Sequence, residues 1–197
     1  MGDQQRPDHW RVGVAVLAAG LSRRFGDADK LAQPFRGSLL GEHAARAIPQ
    51  EHFTHAWIIA AHKNHPCEAV WIDAGFEIAI NPCAADGMAT SVELAARLAD
   101  QAGCDSLMIA LADMPLVDRR HFAALARTST HHSDILISIR DCQPMPPALF
   151  GRDHFADLSE LKGDAGAREL IRQGQAVECP AQWLIDIDTP EALARHS

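Results

Sequence analysis

The chain has 197 residues, 47% of them hydrophobic, and a formal net charge of -8. That length suits one ordinary domain with a sizeable core. The lack of any apolar run of about 18 residues argues against a membrane-spanning helix, and the acidic balance against a broad nucleic-acid surface, which sets many Lys and Arg against phosphates.

Residues 1–10 are polar, carry Asp3, Arg6 and Asp8, and lack the basic start and apolar centre of a secretion signal. They read as a loose tail ahead of a single domain over residues 11–197. In that domain strands are expected over Val12–Leu17, Ala56–Ala60, Phe76–Ile80, Ser106–Leu111, Asp134–Ile139 and Trp183–Ile187. Helices are expected over Leu39–Ile48, Glu68–Ala74, Met88–Ala99, Asp118–Thr128, Ala165–Arg172 and Pro190–His196, with Met88, Val92, Ala95 and Ala99 on one face of theirs. Such alternation implies an α/β fold, Rossmann-like, with a mostly parallel sheet flanked by helices. Ligands in such sheets collect beyond the carboxyl ends of the strands, where the informative loops fall. Five cysteines without a Cys-x-x-Cys pair point to reduced thiols and a cytoplasmic setting rather than a disulfide framework.

The first strand runs into Leu17-Ala18-Ala19-Gly20, followed by Arg23, Arg24 and Lys30. Gly20 lets the backbone approach an anion without a Cβ in the way, and the basic residues supply charge for phosphate oxygens. The spacing is neither that of a Walker loop nor that of the dinucleotide fingerprint. Asp113 ends the strand Leu107–Leu111, with Pro115 stopping further pairing; a carboxylate there suits Mg²⁺, which takes a few carboxylates together with substrate phosphates. Strand alternation puts Asp186 and Asp188 on one face, which leaves either able to be the second metal ligand. Asn81 offers both a donor and an acceptor for reading a base edge. His62, His65, His131 and His132 lack partners at zinc-ligand spacing and read as surface or turn histidines.

These segments resemble the glycosyltransferase-A-like nucleotidyltransferases, and most closely the molybdenum cofactor cytidylyltransferases. The likeness is carried by the loop from Val14 to Gly26 with Asp29-Lys30-Leu31, and by Asn81-Pro82 with Gly87-Met88-Ala89-Thr90-Ser91. Further on it includes Leu111-Ala112-Asp113-Met114-Pro115, Pro147-Ala148-Leu149-Phe150, the run from Leu161 to Arg168, and Asp186-Ile187-Asp188-Thr189-Pro190-Glu191. The resemblance implies that Lys30, Arg24 and Asp113 serve catalysis, and that Asp113 with Asp188 holds Mg²⁺. It implies a nucleotide site made by Leu17, Ala18, Ala19, Gly20, Arg23, Arg24, Lys30, Asn81, Gly87 and Ser91, and an acceptor site that includes Asp164 and Arg168.

The implied reaction moves CMP from CTP to the terminal phosphate of molybdopterin, serving xanthine-dehydrogenase-type enzymes. The alternatives are transfer from GTP, whose relatives more often carry a second glycine in the first loop, a sugar or polyol phosphate acceptor, and a non-catalytic nucleotide-binding chaperone. The run Asp141–Pro147 departs from the family, its prolines stiffening a loop that glycine would leave mobile.

Overall fold

The computed structural model describes residues 9–20, 23–26, 28–161 and 170–197. In chain order its elements begin with β1 (Val12–Ala18), β2 (Pro34–Phe35), β3 (Ser38–Leu39), α1 (Glu42–Ala47), β4 (His55–Ala60), α2 (Glu68–Asp73), β5 (Glu77–Ile80) and α3 (Met88–Gln101). There follow β6 (Ser106–Leu111), α4 (Arg119–Thr128), β7 (Ile135–Arg140), β8 (Gln143–Gly151), α5 (Phe155–Ser159), β9 (Gln175–Ala176) and α6 (Pro190–His196).

β1 is buried along its whole length because it lies inside a seven-stranded sheet of order β5-β4-β1-β6-β8-β7-β9. β5, β4, β1 and β6 run parallel, β8 is antiparallel to both neighbours, and β9 is parallel to β7. Successive β1 side chains point to opposite faces and feed two cores. Val12, Val14 and Val16 pack with Trp71, Met108 and Phe122 on one side, and Ala15 and Leu17 with Trp57, Val92 and Leu107 on the other. α3 covers the second face with Val92, Ala95, Ala96 and Ala99. Met88 departs from that stripe, standing 51% exposed at the helix's first position.

The expected strands match β1, β4, β5, β6 and β7 apart from their ends, but Trp183–Ile187 is not a strand. Ala181–Trp183 is a turn of 3-10 helix, and the chain beyond it is irregular up to α6. Ile187 crosses past the end of β6, where its N–H donates to the Asp113 carbonyl at 2.9 Å, and it is buried in a small cluster with Phe35 and Leu40.

The proline-rich run expected as a stiffened loop is the first part of β8. Gln143, Pro144 and Met145 pair with β7 alone, and β6 joins only from Ala148, so Pro144 needs no N–H on the open side. Pro146 and Pro147 fall where the β7–β8 register shifts, opposite Ile137/Ser138, a bulge that has no ladder bond to lose. The hairpin turns through Asp141 and Cys142, at φ 52° and 62°, the positive values of a two-residue type I′ turn. At the other end of β8, a Cβ on Gly151 would lie 2.1 Å from the His132 carbonyl oxygen; only glycine lets the two backbones meet.

Trp10 is buried and stacks on His132 with ring centroids 4.9 Å apart, so the expected tail does not extend to residue 10. The rest of that tail, residues 1–8, and most of the helix expected over Ala165–Arg172 lie outside the described residues. All five cysteines are unpaired. No helix among the described residues is long and apolar enough to cross a membrane.

Candidate active site

A cavity of about 410 Å³ opens beyond the carboxyl ends of β1 and β6, a volume within the range of small-molecule sites. The end of β1 and the residues after it supply Leu17, Ala18, Ala19 and Gly20. β6 supplies Leu111 and, just past its end, Asp113; the start of α3 supplies Gly87, Met88 and Ser91; Arg24, Lys30 and Asp188 complete this wall. A Cβ built on Gly20 would meet nothing within 4 Å, so the space beside this backbone is left open to a ligand.

Lys30 joins the two carboxylates. Its Nζ donates to Asp113 Oδ2 at 2.6 Å and to Asp188 Oδ1 at 2.7 Å, while Arg24 Nη1 donates to Asp188 Oδ2 at 2.9 Å. The Lys30 side chain is only 11% exposed and that of Arg24 69%, so the solvated Arg24 pair adds little by itself. Burial works against the Lys30 charge, but Asp113 and then Asp188 outweigh it and raise its pKa. Burial pushes the Asp113 carboxyl above the usual range, Lys30 opposing and Asp188 and Asp186 adding to the rise. For Asp188 burial is outweighed by Lys30 and Arg24, and its pKa falls.

Asp113 Oδ1 is buried and has no hydrogen-bond partner, an unfavourable state that a ligand relieves. Two converging carboxylates, one with an unused oxygen, fit a hard divalent cation. Among the described residues no group of three or more His, Cys, Asp or Glu side chains has metal-site geometry. The donor set therefore suits an ion that completes its shell from phosphates and water, as Mg²⁺ does. Asp186 is not on this wall and pairs with Arg140 Nη1 at 3.4 Å. Strand alternation plays no part in that difference, because the segment is not a strand.

Asn81 lies behind the wall. Its Nδ2 donates to Thr90 Oγ1 at 2.8 Å and to Ser91 Oγ at 2.9 Å, and its Oδ1 accepts the Cys83 N–H at 2.9 Å. With both ends of the amide engaged, Asn81 shapes the turn into Gly87, whose φ of 112° favours glycine, and orients Ser91 on the cavity. Ala84, Ala85 and Leu31 also line the space; the small pair Ala84-Ala85 ahead of Gly87, like Ala18-Ala19, was the available signal in the sequence. Arg23 opens a 3-10 turn. Asp164 and Arg168 lie outside the described residues. His62, His131 and His132 are exposed, as expected, but His65 is buried beside Asp29.

Residues 14–178 match the MobA-like NTP transferase domain. The purine catabolism protein PucB of Bacillus subtilis (strain 168) is 33% identical over 203 aligned residues, covering 91% of this chain and 92% of PucB. A nucleotidyl transferase from Methanothermobacter thermautotroptrophicus has a similar fold, with a TM-score of 0.79, 18% identity, and coverage of 94% of this chain and 95% of that one. So does molybdopterin-guanine dinucleotide biosynthesis protein A from Archaeoglobus fulgidus, with a TM-score of 0.63, 20% identity, and coverage of 93% and 96%. Both structures share the α/β layout with its mostly parallel sheet, that of the glycosyltransferase-A-like nucleotidyltransferases. With the domain match and the PucB alignment each spanning most of its length, the chain belongs to the MobA-like NTP transferase domain family.

Proposed function

We propose that this protein is a Mg²⁺-dependent cytidylyltransferase that moves CMP from CTP to the terminal phosphate of a molybdopterin-type acceptor and releases pyrophosphate. The observation that carries this reading is the meeting of Lys30, Asp113 and Asp188 within 2.7 Å contacts on a cavity bordered by Gly20 and the start of α3. Ser91 is the single hydroxyl residue on that wall among the described residues, and its neighbour is the Asn81 amide rather than a base. The proposed reaction needs no protein nucleophile, because a phosphate monoester carries most of two negative charges near neutral pH and attacks the α-phosphorus as it is. The demand is for positioning and for charge opposite the departing pyrophosphate.

Lys30 answers it by exchanging its carboxylates for phosphate oxygens, and Arg24, largely solvated, by leaving Asp188 to close on the triphosphate. Asp113 and Asp188 would hold Mg²⁺, which supplies positive charge against the transferring phosphoryl group. Leu17 to Gly20, Gly87 and Ser91 would receive the nucleoside, while Asp164 and Arg168 remain the expected acceptor side. Ala18-Ala19 in the first loop supports cytosine. The acceptor is supported by the Archaeoglobus fulgidus fold relative, whose name contains molybdopterin, and by the naming of PucB for purine catabolism, since xanthine-dehydrogenase-type enzymes oxidise purines.

The test incubates the protein with molybdenum-loaded molybdopterin, Mg²⁺ and each nucleoside triphosphate in turn, reading pyrophosphate and identifying the dinucleotide. Cytosine dinucleotide is expected. Guanine dinucleotide would instead favour the chemistry named for the Archaeoglobus fulgidus protein, and binding without pyrophosphate would mean a carrier.

A further inference from the structure

Behind the cavity, the residues flanking Lys30 are tied down by a group of side chains that takes no part in the proposed chemistry. Leu31 N–H donates to Asp29 Oδ1 at 2.9 Å, His65 Nε2 lies 2.8 Å from Asp29 Oδ2, and Gln33 Nε2 donates to the Asp29 carbonyl at 2.9 Å. The Leu31 carbonyl accepts from Gly41 N–H at 3.0 Å and from the Cys67 thiol at 3.5 Å.

The His65 ring is oriented for this contact. The Cys67 N–H donates to its Nδ1 at 3.0 Å, so Nδ1 is bare in the neutral ring and the proton sits on Nε2, facing Asp29. Trp71 stacks on the ring at 4.7 Å and 18°, and the indole N–H is itself fixed to the Gly41 carbonyl at 2.8 Å. The His65 bond is the largest cause holding the Asp29 carboxyl below its usual range. His65 is thus a buried donor on the turn before α2, aimed at the residue next to Lys30.

We propose that His65 is a positioning residue: through Asp29 it fixes the backbone that carries Lys30, so that the amine stays in reach of phosphate once ligand draws it from Asp113 and Asp188. The catalytic half of this inference rests on the nucleotidyl-transfer reading, whereas the positional half does not. A long, flexible side chain released from two ion pairs is useful only if its root is fixed, because a misplacement of about 1 Å costs roughly a hundredfold in rate.

The chain has three lysines, at 30, 63 and 162, so side-chain NMR of lysine-labelled protein reports Lys30 separately. His65→Phe keeps a ring against Trp71 and removes the donor. It is expected to move the Lys30 ε-methylene signal towards that of exposed Lys63, and to lower kcat with CTP roughly tenfold with acceptor KM changed less than about twofold. His65→Gln, whose amide N–H stands close to the place of Nε2–H, should restore most of both. Asp29→Asn, with thermal melts to check folding, should move the Lys30 signal as His65→Phe does and serves if His65→Phe does not fold.

An unmoved Lys30 signal in the folded variants overturns the inference, and so does an equal loss of turnover in the Phe and Gln variants, which is what a merely structural histidine gives. If wild-type protein releases no pyrophosphate with any triphosphate while His65→Phe still moves the Lys30 signal, nucleotidyl transfer fails and the positional role stands.

Discussion

Asp113 is held in an unfavourable condition, with one oxygen against Lys30 and the other buried without a partner. Groups kept so at a binding site trade stability for function. Asp113→Asn is nearly isosteric and removes a carboxylate whose charged form burial disfavours. The variant should melt no lower than wild type, by circular dichroism, yet lose on the order of a hundredfold or more in turnover. Full Mg²⁺-dependent pyrophosphate release by the folded variant would remove Asp113 from the site. Asp188 and Asp186 are separated by their partners, Lys30 and Arg24 for one and Arg140 for the other. Asp188→Ala should therefore raise the Mg²⁺ concentration at half-maximal rate, and Asp186→Ala should leave it within about twofold; a Mg²⁺ titration of both that ranks them in reverse would exchange their roles.

The joint of α4 with β7 and β8 sets how the fold responds to acid. His121 is buried, its Nε2 lies 2.7 Å from Ser138 Oγ, the Ser138 hydroxyl donates to the Pro147 carbonyl at 2.7 Å, and His121 Nδ1 has no partner. Burial pushes the His121 pKa down from 6.5 to about 4. Between those values the unfolded chain holds a proton that the folded one does not, so stability is intact above about pH 6.5 and drains away as pH falls to about 4. The loss amounts to roughly 3 kcal/mol. Urea unfolding near pH 7.5 and near pH 4.5 should show it, and His121→Gln should flatten the difference. At the far end of β8, Gly151→Ala must push the His132 carbonyl away from 2.1 Å, which should cost about 1–3 kcal/mol in the same assay.

The parallel half of the sheet was legible because β1, β4 beyond His55 and β6 beyond Ser106 are nearly continuous apolar runs. β8 was hidden, since its prolines are permitted only by an open edge and a bulge that arise when β7 and β6 pair with it at different places. The site followed the same division. Lys30, Asp113 and Asp188 stand in local motifs, but the role of Asn81 depended on three partners up to ten residues away. Likewise, nothing local to Ala61-His62-Lys63-Asn64-His65 discloses a carboxylate 36 positions earlier.

At the scale of the molecule, a chain of net charge -8 repels polyanions, and at the cavity Arg24 and Lys30 offset the charges of Asp113 and Asp188. That cavity should prefer CTP over GTP by at least about tenfold in kcat/KM, measured side by side as pyrophosphate release; equal turnover would show that the alanines of the first loop do not select the base. The closing contacts of the site span almost the entire polypeptide, with Lys30 and Arg24 meeting Asp188 across separations of 158 and 164 residues. Synthesis proceeds from the amino end, so β1, β4 and β6 are available to form the cavity well before the ribosome has added Asp188. A chain that has been made only to just past β6 holds the Lys30–Asp113 pair but lacks Asp188, so the proposed two-carboxylate site cannot assemble until the polypeptide has grown past that residue.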